Sequence, residues 1–229
     1  MKSTTVFILF IALIFGCSSD DDSGNPDPNP GGLMPQATYE ITFKANFLSE
    51  LYPIAYPDDA MFTRMMVVMH NENTSMFSVN TMASEGFRDY VKDGDTGGIS
   101  SELSSTEMNP TIVRVGNDIS PTGEDKVTIN ITPNTTFLSF ASRISPSPDW
   151  FVGIDSFNLV NPDNSLVDVI EIVLFAHDGG VDGGTTYTSD DVPENAFISE
   201  ITTDPFVFDG EGGFTIKPRL GSLRIERIE

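Results

Sequence analysis

The chain is short of cysteine, histidine and positive charge. Cys17 is its only cysteine, so no disulfide can form within the chain. Its 12 Lys and Arg residues face 34 Asp and Glu, for a formal charge of −22. Nucleic-acid binding relies on clustered Lys and Arg, which excludes that class of partner. Direct docking on an anionic lipid or glycan is disfavoured too, unless a divalent cation bridges the two. With only His70 and His177 available, a Ser-His-Asp triad has few places to stand. His177 and Asp178 are adjacent, and adjacent side chains in a strand point opposite ways. P-loop, HExxH and GxSxG motifs are all missing, and no pair of acids is singled out for glycoside hydrolysis. No enzyme is expected; the alternative kept open is a metal-dependent hydrolase of an extracellular polymer.

Long apolar runs are scarce as well. The longest opens the chain, in MKSTTVFILFIALIFGC, where Lys2 precedes an apolar stretch from Val6 to Phe15. That stretch is too short for a stable membrane span and has the proportions of a secretory signal. Its end, Ile14-Phe15-Gly16-Cys17, resembles a bacterial lipobox, with Ile14 where leucine is preferred. The resemblance implies a signal peptide over 1–16 and an acylated Cys17 as first mature residue, its sulfur consumed as an anchor. Residues 17–37, rich in Ser, Asp, Asn, Pro and Gly, read as a solvated tether. Fully extended, the tether reaches roughly 60 Å at about 3.1 Å per residue. Its run Asp20-Asp21-Asp22 resembles the surface-export signals of lipoproteins in Bacteroidetes-type bacteria, and reads equally as a solvating spacer. The expected location is the cell envelope, as an outer-membrane lipoprotein facing outward, held to the membrane by lipid alone.

What the chain does have is a hydrophobic share of 39%, enough for a packed core. One domain is expected over 38–229. In TYEITFKANF, the residues Tyr39, Ile41, Phe43, Ala45 and Phe47 alternate with polar ones, the period of a half-buried strand. Further strand-like runs cover 64–70, 111–115, 126–131, 136–144, 150–160, 166–176 and 213–218, and a last one starts at Leu220. Clusters such as NPDNS and SPTGED separate them. Helical spacing is confined to 78–94, where Met82, Phe87, Tyr90 and Val91 share a face. About eight strands and one short helix predict an all-β antiparallel sandwich. The methionines of AMFTRMMVVM read as core filler.

Two loops carry the candidate chemistry. SPSPDWFVGID (145–155) leads through two prolines to Asp149, and HDGGVDGGTTY (177–187) holds Asp178 and Asp182 among four glycines. A hairpin of 150–160 with 166–176, turning on Asp163-Asn164, would set Asp149 opposite Asp178. Three converging carboxylates repel unless a cation neutralises them. Oxygen ligands without sulfur suit Ca²⁺, which tolerates irregular geometry and accepts carbonyls and water. A solvated glycine turn explains the same residues. The spacing is not that of an EF-hand. Trp150 reads as a core anchor beside the loop, and His70 as a polar strand end. His177 reads as a rim residue, with an extra metal ligand as the other option.

PSPDWFVG followed by DGGVDGGTTY resembles the spondin N-terminal domain of F-spondin and mindin. The upstream stretch HNENTSMFSVNTMASEGFRDYVKDGD is similar to the same family, so the resemblance extends over roughly 38 to 228. It implies a C2-like antiparallel β-sandwich binding one calcium ion at its loop end. The metal-binding aspartates then fall on Asp149, Asp178 and Asp182. The family commonly has Asp-Ala-Gly-Thr-Asp where this chain has Asp-Gly-Gly-Val-Asp, and its animal members carry disulfides that this chain cannot form. The implied role is a non-catalytic adhesion or recognition module whose partner is an extracellular protein or glycan. An envelope assembly subunit is a further alternative.

Overall fold

A computed structural model describes residues 36–229. The signal peptide, Cys17 and nearly all of the tether lie outside the described residues. The first half of the domain comprises β1 (Ala37–Ala45), β2 (Met61–Phe62), β3 (Met66–His70), α1 (Glu85–Asp93), α2 (Thr96–Glu102), β4 (Thr111–Val115) and β5 (Glu124–Ile131). The second half comprises β6 (Phe137–Ser145), β7 (Trp150–Asn158), β8 (Val169–Leu174), β9 (Ala176–Asp178) and β10 (Ser199–Glu200). It ends with β11 (Phe208–Asp209), β12 (Thr215–Ile216) and β13 (Gly221–Arg227). Eight of the strands have five residues or more, which is the number the sequence pattern predicts.

Two antiparallel sheets face each other. One runs β5-β1-β13-β8, the other β10-β9-β7-β6-β3-β4 with β2 beside β6. The alternation in β1 places Tyr39, Ile41, Phe43 and Ala45 in the core between them. They meet Leu223 and Ile225 of β13 and Phe140 of β6, with the rings of Phe43 and Phe140 5.2 Å apart. A second core lies on the far face of the larger sheet. There Met66, Val68, Ala141 and Phe151 pack against Phe87, Tyr90 and Val91 of α1 and Ile99 of α2. Every residue of β3 is therefore buried, which is why MMVVM reads as a continuous apolar run rather than an alternation.

Two expectations need correction. The helix expected over 78–94 starts only at Glu85, because Ser84 takes the N-cap and its side chain accepts from the Phe87 amide. Met82 falls outside it and bridges Phe197 instead. A second helix, α2, escaped the pattern because its glycines depress helix propensity. Gly98 serves packing against Gly86 of α1: a Cβ on Gly98 would lie 3.2 Å from the Gly86 Cα, and one on Gly86 2.5 Å from the Gly98 carbonyl carbon. The hairpin of 150–160 with 166–176 is also incorrect as drawn. The chain turns at Asp163-Asn164 and Val160 bridges Leu166. Beyond that, β8 pairs with β13 in the smaller sheet, and the chain crosses at Phe175 so that β9 returns to pair with β7.

Candidate functional site

The crossover brings the two predicted loops together at one end of the sandwich. In the β7–β9 register Trp150 pairs with Asp178 and Phe151 with His177, so Asp149 sits one step from the expected position opposite Asp178. Asp149 is fully buried. Its Oδ2 accepts from the Val181 amide at 2.7 Å and from the Asp182 amide at 3.0 Å. Asp178 Oδ1 accepts from Gly180 N at 2.7 Å. Asp182 Oδ1 accepts from Gly184 N at 3.1 Å and Val192 N at 3.0 Å. One oxygen of each carboxylate thus holds the loop in shape through backbone amides. Gly180 makes this possible, with φ of 70° and a would-be Cβ only 2.4 Å from the Ala196 carbonyl oxygen.

The second oxygens carry the site's chemistry. Asp149 Oδ1 is buried and has no hydrogen-bond partner. Burial, then the charge of Asp178, push the Asp149 carboxyl up to about 6; the two backbone donors oppose that rise, and Asp182 adds to it. Asp178 is raised as well, chiefly by burial, with Glu194 and Asp182 adding repulsion against the Gly180 hydrogen bond. Arg143 does not relieve the charge by bonding, since its Nε and a terminal nitrogen donate to the carbonyls of Val91 and Ser147. Lys92 is engaged by Asp191 at 2.8 Å. Each of these features favours a cation.

Among the described residues, no three His, Cys, Asp or Glu side chains are grouped so that they could hold a metal ion, so Asp149, Asp178 and Asp182 do not close on one point as they stand. A bound ion would thus draw on backbone carbonyls and water beside the carboxylates, a donor set that Ca²⁺ accepts and that transition metals do not favour. By this test one feature fits a hard cation: a buried, orphaned carboxylate oxygen has a large desolvation cost, which a cation, a proton or a donated hydrogen bond reduces. Glu194 was missed in the sequence, where it stands in an irregular acidic stretch with no local signal. The loop's return strand brings it near, since the Glu194 amide donates to the Val181 carbonyl at 2.8 Å.

The other candidates resolve simply. Trp150 is buried, edge-on to Tyr187 and Phe206 at 5.2 Å each. His177 stacks on Phe151 at 5.3 Å, on the face of the sheet that carries the helices, away from the Trp150 side. Burial holds it down to about 4. His70 is fully buried and touches a serine, a pairing that the sequence spacing hides: its Nε2 lies 2.8 Å from Ser139 Oγ. This is no nucleophile and base. Ser139 is fully buried, its Oγ accepts from the Ser156 amide, and His70 Nδ1 meets the Asn71 carbonyl at 2.8 Å rather than a carboxylate. The group instead ties down the register shift between Leu138 and Phe140. No helix among the described residues is long and apolar enough to cross a membrane.

A family model described as Spondin_N matches residues 37–209. The chain is 30% identical to Spondin-2 of Rattus norvegicus over 178 residues, covering 73% of this chain and 53% of that protein. It is 28% identical to Spondin-2 of Homo sapiens over 177 residues, with the same two shares. Against Spondin-1 of Rattus norvegicus the identity is 26% over 208 residues, 84% of this chain and 25% of that protein. The chain thus spans about half the length of the Spondin-2 proteins and a quarter of Spondin-1.

Proposed function

The chain belongs to the spondin N-terminal domain family, and from that premise we propose that it is a non-catalytic recognition module whose rim is set by one calcium ion. Asp149, Asp178 and Asp182 would hold the ion, with backbone carbonyls and water completing its shell. The ion would add positive charge to a rim whose neighbouring cations, Arg143 and Lys92, donate to backbone carbonyls and to Asp191 rather than to the three carboxylates. The observation that carries the reading is Asp149 Oδ1, an acceptor fully enclosed by protein with nothing to accept from. Around it the chain's own residues set the loop: five amide donors fix the three carboxylates from behind, and Gly180 permits the turn. The module's setting would be outside the cell, tethered through an acylated Cys17, and its partner an extracellular protein or glycan.

Calorimetric titration of the purified chain with Ca²⁺ tests the site. One ion per chain is expected, with Asp178→Asn and Asp182→Asn each weakening it. Absence of any heat or of any thermal stabilisation by calcium would refute the assignment.

A further inference from the structure

Beside the acidic loop, on the side away from the helices, a cavity of about 640 Å³ opens between Thr185 and the β11–β12 hairpin. It is a shallow groove, open to solvent along its length. Its polar lining is Thr185, Thr202, Thr203, Asp204, Asp209 and Thr215, all exposed. Val207 and the ring of Phe208, both half-buried, supply its apolar part. Four hydroxyls that donate and accept, two carboxylates that only accept, and a partly open aromatic ring make an unusual set. Among the described residues no cation lines the cavity, and the chain's charge of −22 repels anions.

We propose that this groove binds a short neutral glycan. A sugar presents closely spaced hydroxyls that donate to carboxylates and exchange hydrogen bonds with threonines, and its C–H face lies against an apolar ring. Carboxylate acceptors give the stronger, charge-assisted bonds of such a set. Sialylated or sulfated glycans and anionic lipids are rejected by Asp204 and Asp209. An extended peptide finds little here, because the lining offers only two apolar side chains for its anchors.

The groove is joined to the acidic rim at both walls. Thr185 follows Gly184, whose amide donates to Asp182. On the other wall, Phe206 lies directly before Val207 and packs against Trp150, the neighbour of Asp149, at 5.2 Å. An ion that orders the acidic loop therefore orders the Thr185 wall, and the glycan affinity rises with calcium. This inference rests on the recognition reading above and names its ligand class.

The test uses the fluorescence of Trp150, the chain's single tryptophan. The purified full chain, in calcium and in chelator, is titrated with lactose, cellobiose, maltose and chitobiose, with sialyllactose and a basic peptide as comparisons. At least one neutral disaccharide is expected to saturate the signal with Kd between about 10 μM and 1 mM in calcium. Asp204→Asn with Asp209→Asn is expected to weaken it at least about tenfold, with an unchanged melting temperature. Failure of all four sugars up to about ten times that range, equal binding by the double variant, or binding of the peptide alone overturns the proposal. The calcium titration in the same cuvette separates the two readings: a calcium response without a sugar response removes the groove and leaves the rim, whereas silence in both removes the rim as well.

Discussion

Replacing Asp149 by asparagine removes the charge while keeping an oxygen for the Val181 and Asp182 amides. The effect can be worked from the ionisation of the parent. Burial and the neighbouring acids lift the Asp149 carboxyl from 3.8 to about 6, so without a cation the folded chain holds a proton that the unfolded chain has released. The stabilising protonated form is fully present below pH 4 and is lost as pH rises through 6. At 1.36 kcal/mol per tenfold, the loss is about 3 kcal/mol at pH 7. His70 and His177 contribute with the opposite sign, both lowered by burial, and Asp178, raised by burial, with the same sign as Asp149. Comparing parent with variant cancels them. The buried amide NH₂ of the variant lacks a partner, at a cost of about 1–3 kcal/mol. In chelator, Asp149→Asn is therefore expected to be less stable than the parent at pH 4 and close to equal at pH 7. In calcium at pH 7 the parent alone should gain, by about 2.7 kcal/mol at a hundredfold excess over Kd. Urea unfolding at pH 4, 5, 6 and 7, with and without calcium, reads all of this. A stability difference that stays flat across that range in chelator, or equal stabilisation of both proteins by calcium, refutes the reasoning.

Asp178→Asn and Asp182→Asn should each weaken calcium by at least about tenfold, lowering the melting temperature in calcium but not in chelator; calorimetry and thermal scans check both. Gly180→Ala should destabilise the chain by about 2–4 kcal/mol, since it combines a left-handed backbone with a contact against the Ala196 carbonyl. Denaturant unfolding measures it, and a change below 1 kcal/mol would show that the loop relaxes freely. Trp150 emission should change saturably with calcium, and Asp149→Asn should abolish that change. Phe140→Ala, at the fully buried contact between the sheets, should cost about 3–5 kcal/mol in the same unfolding assay.

Period-two alternation made β1 legible, because one of its faces lies against the core and the other, bearing Thr38, Glu40, Thr42 and Lys44, points away from it. It could not make α2 legible, since Gly97 and Gly98 carry no helical signal and Gly98 is set by its close contact with Gly86. The register of β7 was misjudged for a different reason. Residues 166–176 form a single apolar run, yet the first part belongs to one sheet and Ala176 to the other. Hydrophobicity is the same on both sides of that crossing, so only three-dimensional pairing reveals it. The two loops meet all the same, with Asp149 Oδ2 on the Val181 and Asp182 amides, because the turn direction rather than the register decides which loops lie together. Glu194 and the Ser139–His70 contact depend on tertiary approach alone, and no local pattern marks them.

The single residue Phe175 between β8 and β9 gives the acidic loop an unusual footing. Tension applied there passes along β9 into one layer and along β8 into the other. The six residue pairs joining β8 to β13 then resist together in shear rather than opening one by one like a zipper. A load on the acidic loop is thereby expected to be shared between both layers of the sandwich rather than borne by one.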